Sequence, residues 1–335
     1  MKESNEGPAM AAPAANLNGE SRGVPATAVV GSAIIVVSEA FLALDVMYRG
    51  GGIVPYEPIA SPDGFLPTIA RAVAQFLTPL CWTGLLFLLD GLLHRDVKDG
   101  GSPIRSMAWR FAAIYVLSIP VWFVFDWVNF WYIDAWRYHG LPENFFIRHA
   151  GYFLAFGAIC PGMFLIADIA QRKGLANLRG PILNPSPTIC VLMVVLGGAM
   201  ALYPFLVRDP IGSLTLWLGW FFLLDPINER MGAPSILSDW RQGRWGRTVS
   251  LMFGGAICGL LWEFWNYWAV AKWTYNLPFL GPLEHIAYFE MPALGFLGFL
   301  PFALECWVMV QSILWLARRL GLKRIEPLPA EDSVT

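Results

Sequence analysis

The chain has 335 residues, 56% of them hydrophobic and only 14% charged, with a formal net charge of −2. Soluble domains average roughly 25% charged and about 45–50% apolar residues, so this composition excludes a water-soluble enzyme, a collagen and a disordered chain. There is no basic footprint for nucleic acid, and with 16 Trp and 23 Phe the remaining class is a polytopic membrane protein.

Residues 1–24 are rich in Ala, Pro, Asn, Gly and Glu and have no basic stretch leading into an apolar one. They read as a disordered tail, not a signal peptide. A helix needs about 20 mostly apolar residues to cross the hydrocarbon. Eight stretches meet this: 26–47, 68–93, 107–131, 146–170, 188–206, 211–228, 248–271 and 287–317. Pro292 and Pro301 predict a kink or break in the last. The five Cys (Cys81, Cys160, Cys190, Cys258, Cys306) sit in apolar runs without a C-x-x-C pair, as small core residues would. Fourteen Lys and Arg fall in every second connection and the C-terminal tail, against five (Arg49, Arg71, Arg137, Arg208, Lys272) in the others. Cytoplasmic loops carry the excess, which places both termini in the cytoplasm and the protein in the plasma membrane.

Two parts of the chain match each other. Trp82, Gly84, Asp90 and Arg95 align with Trp217, Gly219, Asp225 and Arg230 at an offset of 135. Asp126, Asn129, Trp131, Trp136 and Tyr138 align with Glu263, Asn266, Trp268, Trp273 and Tyr275 at 137. His149, Tyr152 and Phe153 align with His285, Tyr288 and Phe289 at 136. The expected fold is therefore an all-α integral membrane protein of about eight transmembrane helices, built as two tandem four-helix repeats. An even number of spans per repeat gives a parallel topology about an axis along the membrane normal. The expected division is a cytoplasmic tail (1–24), repeat 1 (25–173), a cytoplasmic linker (174–187), repeat 2 (188–320) and a second tail (321–335). The connection 48–67 has no counterpart in the second half and is a candidate extracytoplasmic lid.

Ionisable groups within spans need a partner or a function. Those present are Glu39, Asp45, Asp126, Glu263, Glu290 and Glu305. Asp90 and Asp225, near cytoplasmic ends, suit interfacial anchors or structural ion pairs. Asp126 and Glu263 each have an Asn one helical turn on, Asn129 and Asn266. Two carboxylates brought together in low dielectric would split their titration and supply a general acid. The alternative is that each binds the other copy's Asn and locks packing. Trp131, Trp136, Trp268 and Trp273, with Tyr138 and Tyr275, suit either an interfacial belt or a ligand-lining stripe. His149 and His285 suit proton transfer, hydrogen bonding or, less directly, haem ligation. No phosphate-binding, dinucleotide or zinc-protease motif is present, and no metal site is expected.

In these segments the chain resembles the integral-membrane lycopene cyclases, carotenoid cyclases built from tandem copies of a small multi-span domain. The second copy reads Glu263, then Trp273-Thr274-Tyr275, then Pro282-Leu283-Glu284-His285. The first reads Asp126, then Trp136-Arg137-Tyr138, then Pro142-Glu143-Asn144. The family's paired glutamates are here Glu284-His285 and Glu143-Asn144. The resemblance implies that Asp126, Glu143, Glu263 and Glu284 handle protons at a polyene terminus without net redox change; His149 and His285 join the candidate catalytic residues on their repeat equivalence alone. The partner would be a hydrophobic isoprenoid or lipid, with Asn129, Asn266, Glu290 and the aromatic residues around it. Two other functions stay open: a non-catalytic membrane subunit binding haem, quinone or pigment, and a proton-coupled transporter.

Overall fold

A computed structural model describes residues 24–52, 62–96, 104 and 108–322. Nearly all of both expected tails, the middle of the 48–67 connection, Lys98 and Arg105 lie outside the described residues. Among the described residues ten α-helices carry the fold: α1 (Ala26–Tyr48), α2 (Phe65–Gln75), α3 (Leu77–Asp96), α4 (Ala108–Val128), α5 (Phe145–Arg172), α6 (Pro187–Leu206), α7 (Gly212–Met231), α8 (Ile236–Arg241), α9 (Gly246–Trp268) and α10 (Phe296–Arg319). Four short strands interrupt them: β1 (Trp136–His139), β2 (Lys272–Tyr275), β3 (Ala287–Tyr288) and β4 (Met291–Pro292).

Among the described residues seven segments are long and apolar enough to cross a membrane: Ala26–Tyr48, Leu77–His94, Ala108–Ile133, Phe145–Arg172, Pro187–Leu206, Gly246–Trp268 and Ala293–Arg319. The protein is thus polytopic in the membrane, and seven of the eight expected spans meet the criterion. The remaining one, α7, is a 20-residue helix whose final turns carry Asp225, Asn228, Glu229 and Arg230. Two boundaries move. The second expected span divides at Phe76, leaving α2 as a short helix with Phe65 83% exposed and Ala70 and Ala74 buried. That one-sided pattern suits a helix lying along an interface. The eighth begins only after the β3–β4 hairpin, because Pro292 follows an extended stretch in which Met291 and Pro292 are paired as a strand.

Glycines set the closest helix contacts, as expected where lipid offers no hydrophobic drive and close backbone approach supplies the attraction. A Cβ on Gly31 of α1 would lie 2.3 Å from Leu88 N and 2.4 Å from Gly84 O of α3. A Cβ on Gly197 of α6 would lie 2.2 Å from Leu223 N and 2.7 Å from Gly219 O of α7. The two W-x-G segments thus each receive the preceding apolar helix on the same glycine. Beyond these pairs, α3 packs on α5, α5 on α9 and α4, and α10 on α7 and α9.

The acids within or beside the spans each hold at least one partner, although Asp45 Oδ2, Glu263 Oε2 and Glu305 Oε2 accept no hydrogen bond. Asp225, fully buried, accepts from Ile236 N–H and Leu237 N–H at 2.8 Å each and so caps α8. It does not pair with Arg230, as an ion-pair reading would require. Asp90 accepts from Ile104 N–H at 2.7 Å. Asp45 holds Arg71 at 2.6 Å, Glu39 accepts from Trp265 Nε1 at 3.1 Å, and Glu305 accepts from Trp220 N–H at 2.8 Å.

Candidate functional site

At the ends of α4 and α9 the chain leaves each helix and returns as a strand. After α4 it passes through a π turn (Asn129–Ile133) and reverses at Asp134 (φ 51), a left-handed position that Asp tolerates. Gly140 (φ 62) ends β1, and a Cβ there would meet Val270 O at 2.1 Å. Asn129 Nδ2 donates to Trp136 O at 2.7 Å, while Asn129 Oδ1 accepts from Ala135 N–H at 2.8 Å and Trp136 N–H at 3.1 Å. Asn266 does the same for the other strand: Nδ2 donates to Trp273 O and Oδ1 accepts from Trp273 N–H, both at 2.8 Å. Each amide stands in for a neighbouring strand and ties β1 or β2 under its own helix. Neither binds the other copy's carboxyl, contrary to the packing alternative.

The two strands pair antiparallel, with Trp136 opposite Tyr275, Arg137 opposite Thr274, Tyr138 opposite Trp273 and His139 opposite Lys272. Since alternate residues share a face, Trp136, Tyr138, Trp273 and Tyr275 lie on one side. Under that face stand the two acids. Asp126 Oδ1 accepts from Tyr138 OH at 2.8 Å and Trp136 Nε1 at 3.0 Å. Glu263 Oε1 accepts from Tyr275 OH at 2.6 Å, and Trp273 Nε1 donates to the Tyr275 oxygen at 2.8 Å. Burial first, and then the adjacent carboxylate, push both phenols well above the usual tyrosine range, so each is held as an O–H donor. Glu263 is fully buried and its Oε2 has no partner. No hydrogen bond joins Asp126 to Glu263; each is reached through its own tyrosine.

Both tyrosines line a narrow cavity of about 90 Å³ between the helices. At ~10–15 Å³ per water this is room for a file of several waters or one slender chain. Its apolar wall includes Trp82, Trp122, Trp217, Trp262, Phe299 and Phe302. These rings touch edge-on or tilted, with Trp122–Trp262 centroids 5.2 Å apart and Trp82–Trp262 5.8 Å. Lys272, 1% exposed by its side chain, also lines the cavity and is paired with Glu290 at 2.7 Å. His139 lies on the ribbon's other face with Nε2 2.9 Å from Thr274 Oγ1. Burial, and then the charge of Lys272, hold its pKa below the ordinary histidine value.

The structure therefore gathers Tyr138, Tyr275, Trp136 and Trp273 at the cavity. Asp126, Glu263, Asn129 and Asn266 support them from behind, and Glu290 reaches the cavity through Lys272. It does not bring the other expected residues there. Glu143 and His285 are exposed in connecting segments. Glu284 accepts weakly from Leu277 N–H at 3.3 Å. His149 spends Nδ1 on Phe145 O at 2.8 Å, and no hydrogen bond or ring contact joins it to His285. Trp131 is 61% exposed and Trp268 half-buried against Tyr267, away from the cavity wall. Sequence reasoning missed Trp122, Arg148 and Lys272 as lining residues. Trp82 and Trp217 were visible as a repeated W-x-G but carried no role; a buried lysine close to the end of an apolar span was the signal for Lys272. Among the described residues no cluster of three or more His, Cys, Asp or Glu could hold a metal. No family model, curated protein or solved structure matches this chain.

Proposed function

We propose that this chain is an integral-membrane enzyme that moves protons to and from an isoprenoid or lipid chain. The observation that carries the reading is the pair of tyrosine–carboxyl dyads, Tyr138–Asp126 and Tyr275–Glu263, opening on one tryptophan-walled cavity. With the phenol-to-carboxyl hydrogen bond reversed in one dyad, a protonated carboxyl donates to the phenol oxygen as the phenol gives its own proton to an alkene carbon, while the other dyad starts as the carboxylate. The opposite dyad can accept the proton lost when the resulting cation collapses, with no net redox change. Indole faces stabilise such a cation by their quadrupole. This is cyclase- or isomerase-like chemistry. It shifts the proton handling that the lycopene-cyclase resemblance implied from Glu143 and Glu284 to the two tyrosines.

The same reading takes the chain as two tandem four-helix repeats in parallel, with α7 as the eighth span and both termini cytoplasmic in the plasma membrane. Three matched details support it: the glycine contacts of α1 on α3 and of α6 on α7, the buried acids Asp90 and Asp225 that each accept from backbone N–H, and the Asn-held strands. The register supports it too, since Arg137 and Thr274 are equivalent positions and face each other. A two-fold axis through that pair would exchange the dyads.

The test is solvent deuterium. Membranes containing the protein are incubated in D2O buffer, and the isoprenoid and lipid extract is analysed by mass spectrometry. Protein-dependent gain of carbon-bound deuterium is expected. Its loss by about 10²-fold or more is expected in Tyr138→Phe, Tyr275→Phe, Asp126→Asn or Glu263→Gln at unchanged protein level. Undiminished exchange in the Asp126→Asn, Glu263→Gln double variant would refute the chemistry.

A further inference from the structure

The polar side chains at the cavity are those of Arg148, Lys272, Gln75, Thr78, Tyr138, Tyr152 and Tyr275, and no carboxylate is among the described lining residues. Tyr138, Tyr275, Gln75 and Lys272 give their donors to Asp126, Glu263, Gly140 O and Glu290, which leaves Arg148 as the cation with the weakest partner. The acids stand one layer back: Asp126 and Glu263 behind the phenols, and Glu290 behind Lys272. Arg148 sits in the first turn of α5 and, among the described residues, makes no ion pair and one hydrogen bond, a long 3.5 Å contact to Pro142 O. Three buried lining residues carry a donor with no acceptor, Thr78 Oγ1, Trp122 Nε1 and Trp262 Nε1, and the half-buried Trp217 Nε1 is a fourth. Buried donors left unmatched are costly, so a site built this way suits a ligand that brings acceptor oxygens.

We infer that the cavity binds an amphiphile with an anionic, oxygen-rich headgroup, phosphate or carboxylate, on Arg148 and a single slender apolar chain between the tryptophans. This rests on the proposed function and narrows its substrate class from any isoprenoid or lipid to an acidic one. A neutral hydrocarbon would leave Arg148 with only its long contact to Pro142 O. Arginine suits the headgroup because its planar fork bonds two oxygens at once.

The test uses purified full-length protein in a nonionic detergent with four probes: dodecyl phosphate, dodecanoate, dodecanol and inorganic phosphate, read by titration calorimetry. Dodecyl phosphate or dodecanoate is expected to bind at least about tenfold more tightly than dodecanol, as a charge-assisted hydrogen bond predicts. Whichever of the two binds better assigns the headgroup. That preference should vanish in Arg148→Gln and persist in part in Arg148→Lys, which keeps the charge. Asp126→Asn should leave it intact, so that loss of proton transfer and loss of headgroup binding are separate results. Equal binding of dodecanol, an unchanged preference in Arg148→Gln, or inorganic phosphate binding as tightly as dodecyl phosphate would overturn the inference.

Discussion

Replacing Asn266 by Ala removes the amide that stands in for a strand beside Trp273. Asn266 is fully buried, and both its hydrogen bonds, at 2.8 Å, go to the backbone of one residue that is itself 9% exposed. The truncation leaves Trp273 N–H and C=O without those partners. Each buried unsatisfied group costs about 1–3 kcal/mol, so the change should destabilise by roughly 2–6 kcal/mol. At roughly 2 °C per kcal/mol, thermal unfolding in detergent, followed by tryptophan fluorescence, should fall by about 4–12 °C. The scale is set by Asn144→Ala. That side chain accepts from Phe146 N–H and Ile147 N–H at the exposed start of α5, and losing such a cap costs about 1 kcal/mol. Asn266→Asp keeps the acceptor, loses the donor and adds a buried charge, so it should be no milder than the alanine. If Asn266→Ala unfolds no earlier than Asn144→Ala, the amide is not what holds β2 under α9, and the reasoning fails.

Lys272→Met should destabilise by about 3–5 kcal/mol, because it strands the carboxylate of Glu290, and Glu290→Gln in the same chain should restore much of the loss. Gly31→Ala and Gly197→Ala drive a methyl into the backbone of α3 and α7 and should each cost about 1–3 kcal/mol. Gly198→Ala meets nothing within 4 Å and should be neutral or stabilising by up to ~1 kcal/mol; the same unfolding assay ranks all three. His139 has its pKa lowered in the folded protein, so its contribution is present above the ordinary value of 6.5 and is lost as pH falls below it. The unfolding temperature should decline on acidification through that range, and His139→Gln should flatten the decline.

What the sequence disclosed and what it withheld divide along physical lines. Apolar length is local information, so seven spans were legible, and α2 was misjoined to α3 only because an amphipathic helix running into a span has no apolar break. Aligned Asn, Trp and Tyr identified the strand residues before any strand was expected. They did not disclose the strands themselves, because the pairing partner is an amide of the same segment and a strand of the other half. Trp131 and Trp268 shared the alignment but fell outside the cavity. The π turn after α4 rotates Asn129 inward and leaves its neighbours Phe130 and Trp131 exposed. Glu143 and Glu284 were drawn in by resemblance alone, and the exposed loop before α5 keeps Glu143 from the cavity. Trp122 and Arg148 had no counterpart to flag them; only tertiary packing brings them in.

The β1–β2 ribbon also has a timetable. His139 and Thr274, which touch across it, are 135 residues apart in the chain. At roughly 5–20 residues per second of synthesis, the second strand emerges some ~7–27 s after the first. During that interval β1 has Asn129 on one side and an unpaired edge on the other, and the cavity has only half its wall. The helix that carries Phe299 and Phe302 follows β2, so the ribbon closes before the cavity wall is complete. Truncations before residue 275 should yield membrane-inserted chains that quality-control proteases recognise by that open edge, however well their first helices have packed.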